Sequence, residues 1–165
     1  MKNLFTSDTH FGHKNILRFS AETRPVVLDY NLHEKLLAFW KANDEDRSIE
    51  ITKEVNDYWV SLVTKMNEIL VENWNSQVSP DDNVYHIGDL SFMSSYETKK
   101  ILQQLNGKIH LISGNHEKWL KDKSTHQYFE SISNYKEVFI DNTRVCMFHY
   151  PIMEWNQMHR GAFHL

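Results

Sequence analysis

The sequence predicts a protein of mixed α/β or α+β class, and two features support this expectation. Short apolar runs end abruptly in polar or glycine-containing loops, which is typical of strands, while other apolar residues recur at three- and four-residue steps, which is typical of helices. The chain has 165 residues, of which 41% are hydrophobic, enough for one core but too few for two ordinary domains. We therefore expect a single domain over residues 1–165.

The N-terminal part is predicted to be a short strand followed by a polar loop and a helix. The strand is expected at Leu4-Phe5, and the loop from Ser7 to His13 contains a glycine. A helix is expected to begin near Lys14. Arg24-Pro25 then interrupts the helical pattern, because proline disfavours helical backbone in the residue before it.

The stretch from about Leu32 to Asn73 is predicted to be mainly helical. Apolar residues recur at helical spacing on both sides of a polar break at 43–47. We expect a helical hairpin followed by a longer helix. The tryptophans at 40, 59 and 74 are predicted to anchor the packing, since aromatic side chains dominate buried contacts.

The second half of the chain is predicted to return to strands. Short strands are expected at 84–87 and 109–112, with a helix at 96–105 between them. A β-hairpin is expected from the runs 137–140 and 144–148, which flank a turn sequence.

Composition narrows the classes of partner. With 18 basic and 22 acidic residues the net charge is −4, so we expect no strong non-specific binding to nucleic acid. The single cysteine, Cys146, excludes an internal disulfide and is expected to pack in the core.

No stretch approaches the roughly 18 apolar residues of a membrane span. The N-terminus lacks the apolar segment of a signal peptide, so we expect a cytoplasmic protein without a membrane partner.

Four apolar runs end in residues that can bind metal ions. These residues are Asp8 with His10, then Asp89, then Asn115, then His149. Taken singly each motif has another reading, since aspartates and asparagines also cap helices and shape turns. Their order and residue types favour a joint site, because carboxylate, imidazole and amide oxygen suit divalent Mn, Fe or Zn. A shared carboxylate is what holds a pair of such ions about 3.5–4 Å apart.

Four motifs, taken in order, resemble those of the calcineurin-like metallophosphoesterases. They are Ser7-Asp8-Thr9-His10, Gly88-Asp89, Gly114-Asn115-His116-Glu117 and His149, and the longer runs around the first two are similar to the small bacterial and phage members. The resemblance implies a four-layer α/β/β/α sandwich. It also implies hydrolysis of a phosphoester, mono- or diester, by a hydroxide held between two divalent cations, with Mn²⁺ favoured.

The resemblance also implies a role for each matching residue. Asp8 and His10 would bind the first ion, Asp89 would bridge both, and Asn115 and His149 would bind the second. His116 would contact the phosphate and act as the catalytic residue, a role that suits imidazole because its ordinary pKa is near neutrality.

Two departures from the family pattern lead to further expectations. The stretch at about 29–59 looks like an inserted helical hairpin, which could cap the site, form a homodimer surface or simply pack. The family pattern ends in Gly-His-x-His, which does not follow Leu165. Either the natural chain continues, which we expect, or the protein lacks the motif. We expect a form ending at Leu165 to bind metal weakly and to turn over substrate poorly.

The substrate is predicted only by class, as a small phosphorylated molecule such as a nucleotide. His13 could face its phosphate or cap the following helix. Arg24 could hold a phosphate with its planar set of donors or lie at the surface as an ordinary arginine. The alternative function is a non-catalytic module that binds metal or phosphate through an incomplete site.

Overall fold

The computed structural model describes all 165 residues, which fold into two compact units. The sheet unit comprises Met1–Phe11 and Val71–Leu165, and the helical unit comprises Gly12–Leu70. The architecture is mixed α/β with a parallel four-stranded sheet, which confirms the predicted class at this level. No helix is both long enough and apolar enough to cross a membrane.

The larger sheet of the sheet unit consists of four parallel strands, which lie side by side in chain order. Its strands are β1 (Asn3–Thr6), β2 (Asn83–Ile87), β3 (Lys108–Ile112) and β4 (Ser131–Ser133). Parallel strands direct their carboxyl ends to one edge of the sheet, where loops carry functional residues. The loops after β1, β2 and β3 therefore emerge together.

The smaller sheet is built on the predicted hairpin. Its strands are β5 (Tyr135–Ile140), β6 (Thr143–Phe148) and β7 (Phe163–His164), and β5 pairs with β6 in antiparallel register. Asp141 and Asn142 both have positive φ, 47° and 63°, as the tight turns between twisted strands require. Cys146 on β6 is fully buried, as predicted.

A shared core joins the two sheets of this unit, formed by Tyr85, Ile87, Ile112, Val145 and Met147. Between β2 and β3 the chain forms the short helix that the sequence predicts, although it ends three residues earlier than expected, at Leu102 rather than Leu105. This helix begins with a complete capping box, in which Ser94 accepts from the Glu97 amide and the Glu97 carboxylate accepts from the Ser94 amide.

The helical unit contains α1 (Ile16–Phe19), α2 (Tyr30–Glu45) and the first part of α3 (Lys53–Gln77); the helix between β2 and β3 is α4 (Ser95–Leu102). The prediction of a hairpin followed by a separate longer helix is wrong, because the second arm and the longer helix are one continuous α3. No glycine or proline lies within it to interrupt the backbone. Trp40 and Trp59 pack in the core of this unit, as predicted.

Candidate metal centre

Backbone hydrogen bonds connect the loop after β1 to the loop after β2. The amide of Asp8 donates to the carbonyl of Gly88 at 3.0 Å, and the amide of His10 donates to the carbonyl of Asp89 at 3.1 Å. The Phe11 amide continues the series by donating to the Leu90 carbonyl at 2.9 Å. These bonds hold Asp8, His10 and Asp89 close together, although Asp89 is far from the other two in sequence.

The backbone at these three residues lies in the left-handed region. Asp8 and His10 have φ of 52°, and Asp89 has φ of 56°. A non-glycine residue in this region costs on the order of 1–2 kcal/mol, and such conformations cluster at functional sites. The folded chain therefore maintains strain at three of the five predicted metal ligands.

Two glycines leave the space that the candidate ligands occupy. A β-carbon at Gly88 would collide with the imidazole of His149 and lie 2.9 Å from the α-carbon of Gly114. A β-carbon at Gly114 would collide with the Asp89 carboxylate and lie 3.0 Å from Cε1 of His149. Gly88 also has φ of +80°, which only glycine adopts readily. The glycines of the Gly-Asp and Gly-Asn motifs are thus required by close packing around the site.

The carboxylate of Asp89 lies at the centre of the cluster and is almost fully buried. Its Oδ2 is 3.7 Å from Nε2 of His10 and 3.8 Å from Nε2 of His116. Its Oδ1 is 3.6 Å from Nε2 of His149 and accepts a hydrogen bond from the His116 amide at 3.1 Å. The two oxygens therefore face different histidine ligands, which is the arrangement that a bridging carboxylate needs.

The orientation of His149 is fixed by a main-chain carbonyl. Its Nδ1 lies 3.0 Å from the Ile87 oxygen, which can only accept, so Nδ1 carries a proton. In the neutral ring Nε2 then carries only a lone pair and is an acceptor. It lies 3.1 Å from Oδ1 of Asn115 and 3.6 Å from Oδ1 of Asp89. Three acceptors converge there, so a proton or a metal cation between them is required for a favourable contact.

The remaining predicted ligands complete a donor set of the expected chemistry. Nε2 of His10 lies 3.4 Å from Oδ1 of Asp8. One ligand atom each from Asp8, Asp89 and His149 lie within 4.8 Å of one another, close enough to share an ion. Two carboxylates at such short range repel each other unless positive charge lies between them. The residues present therefore fit a divalent metal site.

The predicted catalytic residue borders this cluster and reaches solvent. The side chain of His116 is 39% exposed, whereas that of Asp89 is 6% exposed. Its ring stacks on Phe92 with centroids 4.3 Å apart, and Phe92 stacks in turn on His10 with centroids 4.8 Å apart. The structure thus brings all six of the predicted metal and catalytic residues together.

Several residues that support the site were not identified from the sequence. Glu117 is buried, and its Oε1 accepts a hydrogen bond from the Leu90 amide at 2.8 Å, which connects the loops after β2 and β3. Burial raises the pKa of its carboxyl group. Phe92 was likewise not singled out. Membership of the Gly-Asn-His-Glu motif was the only sequence signal for Glu117, and Phe92 had none.

A buried pair beneath the cluster involves His86, a fully buried histidine of β2. Nε2 of His86 lies 2.9 Å from the hydroxyl of Thr9, and that hydroxyl donates to the Leu90 carbonyl at 3.0 Å. The hydroxyl hydrogen is used in this way, so Nε2 of His86 is the donor of the pair. Burial lowers the pKa of His86 to about 3, so the ring is neutral in the folded protein.

The two tentative substrate residues belong to the helical unit. The carbonyl of His13 accepts from the Ile16 amide at the start of α1. Nη1 of Arg24 lies 3.7 Å from the sulfur of Met66, and Arg24 lines a cavity in that unit. A role for either residue in holding substrate phosphate stays a prediction.

An open cavity of about 340 Å³ lies against one side of the metal cluster. Asp8 and His149 form part of its wall, and Phe5, Ile87 and Phe148 provide apolar surface. The cluster is thus accessible to a small molecule.

Comparisons with other proteins reveal relatives without an assigned activity. No protein-family model matches the chain. An uncharacterized protein from Methanocaldococcus jannaschii is 31% identical over 139 residues, which is 82% of this chain and 56% of that protein. A solved structure of a protein of unknown function from Aquifex aeolicus shares the fold, with a TM-score of 0.56, 24% identity, and coverage of 90% of this chain and 60% of that one. The chain spans less than two thirds of the length of either.

Proposed function

We propose that this protein is a metal-dependent phosphoester hydrolase of the calcineurin-like type. The observation that carries the proposal is the position of Asp89, whose two carboxylate oxygens face His10 on one side and His149 on the other. A structural metal site seldom has this form, because such sites are usually closed four-ligand shells rich in cysteine. The four-layer sandwich of that family is part of the same proposal.

The proposed ligands divide into two groups around Asp89. Asp8 and His10 would hold one ion, Asn115 and His149 would hold the other, and Asp89 would contact both. When bound, two divalent cations supply positive charge at the phosphoryl oxygens and lower the pKa of water. Mn²⁺ is the first ion to test, because this mixture of oxygen and imidazole ligands suits it.

His116 is proposed to act on the substrate directly. Its amide is anchored to Asp89, while its ring is partly exposed beside the cluster. This arrangement presents an imidazole to the phosphoryl group or to the leaving oxygen. Donation of its proton to that oxygen as the P–O bond breaks would let the group leave as a neutral alcohol rather than as an alkoxide, an effect typically worth about 10²–10⁴-fold in rate.

The test is hydrolysis of an aryl phosphate and of its diester analogue, with and without Mn²⁺. At saturating Mn²⁺ we expect metal-dependent turnover that His116→Ala abolishes while bound metal is retained. His126→Ala is the matched control, since His126 is an exposed histidine outside the proposed site, with Nε2 3.0 Å from the Leu120 carbonyl. Metal binding without turnover of either ester, in a chain extended by Gly-His-x-His, would favour the non-catalytic module instead. The ratio of the two ester rates separates a monoesterase from a diesterase.

A further inference from the structure

A second open cleft, of about 350 Å³, lies on the sheet unit beside the loop that carries His116. It is lined by two short stretches of chain, one after β2 and one after β3, and none of the proposed metal ligands forms part of its wall. The lining residues are Met93, Ser94, Ser95, Lys118, Trp119, Lys121 and Asp122. What this cleft binds therefore depends on side chains that the metal centre does not use.

Two lysines give the cleft positive charge. Lys118 and Lys121 are the first and last residues of a 3₁₀ helix, and both are exposed. In a 3₁₀ helix the side chains at positions i and i+3 are aligned, so the two ammonium groups extend from the same side of it. Like charges at this spacing repel each other, and an anion between them would relieve the repulsion.

Neither of these lysines is paired within the protein. No salt bridge or side-chain hydrogen bond involves Lys118 or Lys121. The only carboxylate of the cleft, that of Asp122, has other partners for both of its oxygens. Its Oδ1 accepts from the amide of Ser124 at 3.0 Å and from the hydroxyl of the same residue at 2.7 Å. Its Oδ2 accepts from Nζ of Lys99 at 3.3 Å. The cleft thus presents two unpaired cations.

The 3₁₀ helix that carries the lysines is fixed in place by the residue between them. Trp119 is buried, and its indole N–H donates to the Ser91 carbonyl at 3.1 Å. The Lys118 amide also donates to the His116 carbonyl at 2.8 Å. The backbone of the cleft is therefore preformed, so a ligand need not order a loop in order to bind.

The cleft is also close to the proposed catalytic residue. Lys118 follows His116 by two residues, so their α-carbons are at most about 7 Å apart. On the other wall, Met93 directly follows Phe92, whose ring stacks on His116 with centroids 4.3 Å apart. A small substrate with its reacting phosphate at His116 would thus have a second anionic group within reach of the lysines.

We propose that Lys118 and Lys121 bind a second phosphate of the substrate, so that the protein prefers small phosphoesters that carry two phosphate groups. This inference rests on the proposed function, since it takes His116 to mark the phosphate that is hydrolysed. Lysine suits phosphate because it is a compact cation with three donors, and two lysines can share one tetrahedral anion. A nucleic acid chain fits less well, because the net charge of the protein is −4 and two cations neutralise few phosphates.

The test compares bisphosphates with the matching monophosphates, at saturating Mn²⁺ and low salt. The pairs are fructose 1,6-bisphosphate with fructose 6-phosphate, and adenosine 3′,5′-bisphosphate with adenosine 5′-monophosphate. We expect kcat/KM to be at least about 10-fold higher for a bisphosphate than for its monophosphate, mainly through a lower KM, because the second phosphate forms charged hydrogen bonds. Added salt should reduce this preference, since exposed charges are screened. Equal kcat/KM within both pairs would overturn the proposal.

Two variants with a matched control test the assigned contacts. Lys118→Met and Lys121→Met keep most of the side chain and remove the charge. Each should lower kcat/KM for the preferred bisphosphate by about 10-fold and leave that for the monophosphate within about 2-fold. Lys123→Met is the control, since Lys123 is an exposed lysine of the next 3₁₀ helix and does not line the cleft. Equal losses in all three variants would contradict the assignment, as would no loss in any of them.

Binding measured without turnover separates this proposal from the proposed hydrolysis. Calorimetric titration of the Mn²⁺-loaded protein with each bisphosphate and monophosphate compares their affinities even if no ester is hydrolysed. Tighter binding of a bisphosphate that both cleft variants remove, without turnover of any ester, would support the cleft and contradict the hydrolase. Equal turnover of both members of each pair, unaffected by the lysines, would support the hydrolase and overturn the cleft. Faster hydrolysis of a short oligothymidylate than of either bisphosphate would overturn the assignment of a small substrate.

Discussion

Phe92 stacks on His116 with ring centroids 4.3 Å apart and ring planes inclined by 28°. The same phenyl ring stacks on His10 at 4.8 Å, so a single aromatic side chain separates a proposed metal ligand from the proposed catalytic residue. A stacked ring restricts the rotation of an imidazole without occupying its nitrogen atoms. Phe92 is therefore suited to hold both histidines in the orientation that the reaction needs.

Replacing Phe92 with alanine should lower kcat by about 10–100-fold, because misplacement of a reacting group by about 1 Å has an effect of this size. Phe92→Tyr keeps the stacked ring and should retain most of the activity. Phe129→Ala is the control, since it removes an aromatic partner of Trp119 elsewhere in the sheet unit. The measurement is kcat for the aryl ester together with bound metal per chain. Equal kcat in Phe92→Ala and wild type would show that the stack has no positioning role.

Gly88→Ala should destabilise the protein and displace His149. The new methyl group would meet the imidazole in a backbone conformation with φ of +80°. Gly161→Ala is a matched control, since φ is +84° there and nothing lies within 4 Å of the added carbon. We expect a loss of about 1–2 kcal/mol for Gly161→Ala from the backbone alone and a larger loss for Gly88→Ala. Urea unfolding measures both, and equal losses would argue against close packing at His149.

Acid should destabilise the fold through His86. Its pKa is about 3 in the folded protein, below the ordinary value of about 6.5, so the unfolded chain binds one more proton between these pH values. The contribution of neutral His86 to the free energy of unfolding is complete above pH about 6.5. It falls by about 1.4 kcal/mol per pH unit as the pH drops toward 3. Urea unfolding of the metal-free protein at several pH values gives the slope of the free energy of unfolding against pH. In His86→Gln this slope should correspond to about one proton fewer than in the wild type. The same slope in both proteins would mean that His86 is not the group responsible.

Glu117 should contribute to metal affinity without touching the ion. Its carboxylate holds the Leu90 amide next to Asp89, and changes in residues that orient ligands typically cost about 10–100-fold in metal affinity. We expect Glu117→Ala to lose affinity by this amount. Glu117→Gln, which keeps the carbonyl acceptor, should lose less. Calorimetric titration with Mn²⁺ measures both, and wild-type affinity in Glu117→Ala would contradict the role.

The sequence predicted those parts of the fold and site that depend on nearby residues. The strands before Asp8, Asp89 and Asn115 follow from short apolar runs, and parallel pairing then brings their ends together. The continuity of α3 was not predicted, because the helical pattern after the polar break at 43–47 was interpreted as two helices rather than one. Phe92 was not recognised as a functional candidate, since its stacking partners His10 and His116 lie far from it in sequence.

The roles suggested for His13 and Arg24 stay predictions. Arg24 was considered because its residue type suits phosphate, but residue type does not report which cavity a side chain lines. The left-handed backbone at Asp8, His10 and Asp89 was also unforeseen, because non-glycine residues rarely adopt it.

The most direct test of the central claim is the electron paramagnetic resonance spectrum of the Mn²⁺-loaded protein. If Asp89 bridges two ions about 3.5–4 Å apart, the wild type should bind two Mn²⁺ per chain with a spin-coupled spectrum, and Asp89→Asn should lose that coupling. A wild-type spectrum of isolated Mn²⁺ at saturation, or one that Asp89→Asn leaves unchanged, would contradict a paired-metal site built on Asp89.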